Sequence, residues 1–159
     1  MANFSLVDGD GITLDEAFNQ ATCATEEDAG GGSWFARIQH EFLNSLGKQH
    51  LALLPGCWIH TKRRFKQNSK VAEVVERHVP LPMGWAGAGE LNIENREEVG
   101  WLQGQNCVDV ARAWKPKMLE AGLPEADVDN WIKELVVDVN TLRIKTYWRF
   151  HVCTARIKQ

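Results

Sequence analysis

The sharpest alternation of apolar and polar positions in the chain lies at its end, from Ile144 to Lys158. Trp148, Phe150 and Val152 fall on one side of an extended segment and Tyr147, Arg149, His151 and Cys153 on the other. That is the period-two signature of a strand with one face on a core. A second extended segment, Val71 to Val79, is rich in β-branched residues and runs into Pro80 and Pro82, as an edge or terminal strand does. It is the natural antiparallel partner of the last strand.

Between these segments the spacing is helical. Ser33 is placed to cap a helix in which Trp34, Phe35, Ile38, Phe42 and Leu46 recur every three or four residues, with Gly47 at the stop position. Glu90 to Gln103 reads as a helix with Leu91, Val99 and Leu102 among its apolar positions, broken near Gly104. Val108 to Ala121 reads as another, carrying Val110, Ala111, Trp114, Met118 and Leu119, which Pro116 must kink or restart and Gly122 ends. Pro124, Glu125 and Asp127 open a third, whose inner face is Val128, Trp131, Ile132, Leu135 and Val139.

Nearer the start, Asp8-Gly9-Asp10-Gly11 reads as a turn; it lacks the further acidic positions of a calcium loop. Thr13 is placed to cap a short helix, with Glu16 as its capping-box partner and Leu14, Ala17, Phe18 and Ala21 inward. Residues 24–32, acidic and then glycine-rich, read as a flexible surface loop. From His50 to Phe65 helix and strand remain alternatives. The expectation is one α+β domain over residues 1–159: a small, mostly antiparallel sheet, with strands near 71–80 and 147–157, packed with about five helices.

At 159 residues the chain buries roughly two-thirds of its unfolded surface in one core. A net charge of −3 disfavours nonspecific nucleic-acid binding, and the local run Lys62-Arg63-Arg64, with Lys66 and Lys70, reads as a solvated surface. The absence of a leader pattern or a long apolar run implies a cytoplasmic protein with no membrane segment. Cys23, Cys57, Cys107 and Cys153 are isolated and irregularly spaced from the five histidines, so neither a metal site nor a disulfide framework is expected. The glycines of Met83 to Gly89 do not open a helix after a strand in the dinucleotide-binding manner.

Leu81-Pro-Met-Gly-Trp85, Gly122-Leu-Pro-Glu-Ala-Asp-Val128 and Tyr147-Trp148 with the strand that follows carry a resemblance. In their order and spacing they are similar to landmarks of the C-terminal part of fungal LaeA-like class I methyltransferases. Asp8-Gly-Asp-Gly11, Trp34 and Leu46-Gly-Lys48 are similar to earlier landmarks of that family, and Leu54-Pro-Gly-Cys-Trp58 to its turn before the fifth strand. Lys145-Thr-Tyr147 and Arg156-Ile-Lys-Gln159 depart from the family's pattern. The glycine-rich loop and the acidic residue that hold S-adenosylmethionine in that family have no counterpart here.

The resemblance thus implies a remnant of a Rossmann-like sheet without its cofactor half, with no bound cofactor and no methyl transfer by this chain alone. It leaves two functional expectations. One is a cyclase or isomerase of secondary metabolism, a pericyclase included, acting on an apolar polyketide or terpenoid. Trp58, Trp85, Trp114 and Trp148 would wall its pocket, and His151, Tyr147, Arg149, His78 and His60 would supply donors or acid–base groups. The other is a pseudo-methyltransferase subunit that forms a homodimer or pairs with a methyltransferase-like partner through open strand edges.

Overall fold

The computed structural model describes residues 3–16, 20–25, 32–48, 65–87 and 94–158. Three strands, β1 (Asn3–Leu14), β2 (Val71–Met83) and β3 (Thr146–Ile157), form an antiparallel sheet in the order β1-β3-β2. Three long helices, α1 (Trp34–Lys48), α2 (Arg96–Glu120) and α3 (Glu125–Thr141), pack with it, and residues 65–67 make a single helical turn. The fold class is α+β, as the sequence patterning implies.

The last strand is the middle one. β3 pairs with β2 from Val71↔Ile157 to Met83↔Thr146, and with β1 from Asn3↔Arg156 to Leu14↔Tyr147. Because both neighbours run antiparallel to β3, they run parallel to each other, and the chain between them passes through α1. The result is a split β-α-β unit with an antiparallel strand inserted.

The expected turn at Asp8 to Gly11 lies within β1. Gly9 faces Phe150 and Thr13 faces Trp148, so four steps on β1 oppose two on β3. The Asp and Gly residues serve a bulge, where surplus residues leave strand geometry. Nor does Thr13 open a helix. It belongs to the strand, its carbonyl accepts from the Ala21 N–H at 2.8 Å, and its hydroxyl donates to Gln39 of α1 at 2.9 Å. Ala17 and Phe18 of that expected helix lie outside the described residues.

Residues 94–121 are also read differently from their local signals. Instead of two helices divided at Gly104, α2 runs without interruption through Gly104 and Pro116 to Glu120. A Cβ on Gly100 would lie 1.7 Å from the Trp85 carbonyl oxygen, and one on Gly104 would lie 2.8 Å from the Gly84 nitrogen. The two glycines, one turn apart, therefore form a notch that receives the chain leaving β2, and the Gly84 N–H donates to the Gly100 carbonyl at 2.7 Å. Close packing outweighs the roughly 1 kcal/mol helix penalty of each glycine. Gly122, at φ +90, stops α2 as expected, whereas Gly47 lies inside α1, which continues to Lys48.

Ser33 caps α1, its hydroxyl accepting from the Ala36 N–H at 3.2 Å. Trp34, Phe35, Ile38 and Leu46 are buried on α1, and Val128, Trp131, Ile132, Leu135 and Val139 on α3, matching the expected inner faces. Ala24 joins this core, and the Ala24 N–H donates to the Ser33 carbonyl at 3.2 Å. The acidic loop thus springs from fixed ends, while its residues 26–31 lie outside the described set.

Trp148 packs towards α1 and α2, on the face it shares with Met83 and Thr146. The opposite face of β3 is not a solvated one, as alternation implied: Tyr147 is fully buried, and Cys153 and Ala155 are buried too. A strand in the middle of a sheet carries neighbours on both flanks, and where its faces are also covered its alternation marks two apolar environments rather than core and water.

Candidate functional site

The ladder sorts the candidate residues by face, since directly opposed residues on adjacent strands share one side of a sheet. Tyr147, Arg149 and His151 alternate along one face of β3. His78 stands opposite His151 and shares that face, and Asp8 of β1 stands opposite His151 from the other flank. Four of the five proposed catalytic residues therefore lie on one side of the sheet, the back face, away from α1. The fifth, His60, lies outside the described residues, as does Trp58.

The base of this face is rigid. Tyr147 is flanked by Leu14 and Pro82 in the ladder, and the Trp85 ring lies 5.1 Å from the Tyr147 ring at 55°. Trp85 is held by its indole N–H, which donates to the Thr146 carbonyl at 3.0 Å, and by the Lys145 ammonium 5.3 Å from its ring centre. Lys145 in turn pairs with Glu16 at 3.4 Å. Gly100 places Trp85 here, because only a glycine leaves room for the Trp85 backbone against α2.

Farther along the face the groups become titratable. Arg149 is half-buried. The His78 side chain is 46% exposed, and its Nε2 lies 3.9 Å from the carboxylate of Glu76, which is only 11% exposed. Glu76 faces Cys153 across the ladder, one position beyond the Asp8, His151 and His78 row on the same side. Among the described residues no three His, Cys, Asp or Glu converge on a metal position.

Trp114 and Trp148 belong to the other face. Their rings meet edge to face at 6.4 Å, Phe35 lies 5.3 Å from Trp148, and Phe42 stacks on Trp114 at 4.3 Å and 3°. Both tryptophans are half-buried and continuous with the hydrophobic core, so this cluster is first of all packing. The tryptophans expected to wall one pocket are thus divided between two sides, with Trp85 on the side of the titratable groups.

A third polar feature ties the helices together. Asp138, buried on α3, accepts from Arg143 at 2.7 Å, and Arg143 also reaches Glu134 at 3.1 Å. The Trp34 N–H, in the first turn of α1, bonds to the same carboxylate. Burial pushes the Asp138 carboxyl above its ordinary value, opposed by the Arg143 guanidinium and the Trp34 N–H. Beside it lies a cavity of about 10 Å³ lined by Ser33, Phe35, Asp138 and Thr146 among others, room for about one water. Cys107, in contact with Met83 and Gln103, has its thiol raised well above the usual range by burial and is inert as a nucleophile.

Asp8 and Glu76 escaped the sequence reading because their partners are remote in the chain. Glu76-x-His78 carried the one local hint, two titratable residues two apart on a strand. No helix among the described residues is long and apolar enough to cross a membrane. No family model matches the sequence, and neither a curated protein nor a solved structure matches it.

Proposed function

We propose that the chain is a cofactor-independent cyclase or isomerase of small apolar metabolites, built on the C-terminal part of a LaeA-like methyltransferase scaffold. The observation that carries this reading is the ladder position of His151 between His78 and Asp8, on the face that also holds Arg149, Tyr147 and Trp85. Imidazole is the side chain best suited to giving and taking protons in acid–base catalysis. A guanidinium polarises a carbonyl or holds an anionic oxygen, and Trp85 supplies a flat apolar surface. An isomerisation or ring closure needs no more than this: a proton leaves one atom of the substrate and returns to another, so the product has the mass of the substrate.

The test is incubation with candidate polyketide and terpenoid intermediates while following a mass-neutral product. Conversion lost in His151→Ala and reduced in His78→Ala supports the reading, and unchanged turnover in His151→Ala removes it.

The split β-α-β arrangement favours a second reading, a pseudo-methyltransferase subunit. Two parallel strands joined by a helical crossover, with one antiparallel strand beside them, are compatible with a piece of a mixed doubly wound sheet, and among the described residues β1 has no strand on its outer side. A subunit of this kind would dock that edge on itself or on a methyltransferase-like partner. A solution mass above that of one chain, with no heat on titration with S-adenosylmethionine and no conversion of any metabolite, would favour it over the enzyme.

A further inference from the structure

The outer side of β2 is open. Among the described residues no strand pairs with it, and Ala72, Glu73, Val75, Arg77 and His78 are exposed along the strand, Val75 by 40%. Pro80 and Pro82 show which way the backbone faces. A proline cannot donate to a ladder, so its nitrogen turns away from the neighbouring strand, here β3. The alternate residues Val74, Glu76 and His78 then turn their N–H and C=O groups the same way. The edge therefore offers hydrogen bonds over 74–78 and withholds donors at Pro80 and Pro82, towards the end where the chain enters the α2 notch at Gly84.

We propose that this edge pairs with the same edge of a second copy of the chain, about a two-fold axis at Val75, joining two three-stranded sheets into one of six strands. The order of charges points to that partner. In an antiparallel pair centred on Val75, Glu73 stands opposite Arg77 of the second copy and Arg77 opposite its Glu73. Directly opposed unlike charges stabilise a sheet and like charges weaken it. Only registers that set one outward-facing residue against another keep the ladder, so the nearest slips are of two residues. One of them sets Glu76 against Glu76, and the other sets Glu73 against Val75; the centred register alone of these three pairs both charges. Glu73 already meets Arg156 of β3 at 3.0 Å on that face, which puts its carboxylate between two guanidiniums in the dimer. An isologous contact of this kind closes on itself and covers the exposed edge. It is independent of the cyclase or isomerase reading, and of the pseudo-methyltransferase reading, which uses the outer edge of β1.

Light scattering over a range of concentrations tests the contact in the full chain, and wild type should approach twice the mass of one chain. Glu73→Arg alone and Arg77→Glu alone each turn both unlike pairs into like ones and should weaken self-association by about tenfold or more. An equal mixture of the two variants restores both pairs and should associate more tightly than either alone. Val75→Cys tests the register without altering charge. Residues on the axis form a non-hydrogen-bonded pair with Cα atoms about 4.5 Å apart, within disulfide reach. Mild oxidation of Val75→Cys should therefore give a cross-linked dimer, while Ala72→Cys should give no more than wild type. A single-chain mass at every concentration overturns the proposal. So does a dimer that neither charge reversal weakens, which would place the contact elsewhere, or a cross-link from Ala72→Cys equal to that from Val75→Cys.

Discussion

Replacing Gly100 by alanine tests the packing that seats Trp85 over the back face. By helix propensity alone the change stabilises the interior of α2 by about 1 kcal/mol. The geometry reverses the sign, because the new Cβ would lie 1.7 Å from the Trp85 carbonyl oxygen, half the 3.4 Å at which ordinary contact begins. The obstacle is backbone, so no rotamer change relieves it. The chain at Gly84 and Trp85 must move off α2 and stretch the 2.7 Å bond from Gly84 to Gly100.

Overpacking costs about 1–3 kcal/mol and a lost hydrogen bond about 0.5–1.5 kcal/mol. Set against the propensity gain, the net loss is about 2 kcal/mol. Gly104→Ala, whose Cβ would meet Gly84 and a Val139 methyl group at 2.8 Å, should lose about 1 kcal/mol net. Gly47→Ala, with nothing within 4 Å, should gain about 0.5–1 kcal/mol. Urea denaturation at constant slope should therefore rank the proteins Gly47→Ala, wild type, Gly104→Ala and Gly100→Ala from most to least stable. A Gly100→Ala protein as stable as wild type would refute the notch.

Two further expectations concern the start of α1. Ser33→Ala removes the hydroxyl that accepts from Ala36 and should cost about 1 kcal/mol by thermal or urea unfolding, whereas Ser33→Asn should recover most of it. Asp138 tests the linkage of protons to stability. Its folded carboxyl lies above the ordinary value of 3.8, so the folded state holds the proton more tightly than the unfolded chain does. A cost fully present at neutral pH is then relieved as pH falls through the folded pKa towards 3.8. Wild type should gain stability relative to Asp138→Asn across that window, and a relative loss on acidification would contradict the assignment.

Much of this architecture was legible in the amino-acid order. The faces of α1 and α3 followed from their apolar spacing, and the pairing of β2 with β3 from two β-branched runs. β1 was hidden because its Asp and Gly residues, which mark turns in isolation, mark a bulge once a partner strand is present. α2 was divided in error because Gly104 and Pro116 are local breakers, whereas the notch against Gly84 and Trp85 that holds the helix together is a tertiary fact. The same limit applied to the candidate site. His78 and His151 were visible as polar residues on strands, but their opposition, and the place of Asp8 beside them, depends on register between segments about seventy and more than a hundred positions apart.

The place of β3 has a consequence for assembly. β1 and β2 share no hydrogen bond with each other, and each pairs only with a strand that lies later in the chain than both. During synthesis the three helices can meet while the sheet has no ladder at all, leaving Asn3–Leu14 and Val71–Met83 with exposed backbone until residues 146–157 have been made. The sheet then closes in one late event over sequence separations as long as that from Asn3 to Arg156, a slow step by the cost of closing so large a loop. Before that step the nascent chain is at its most vulnerable to pairing with the wrong strand.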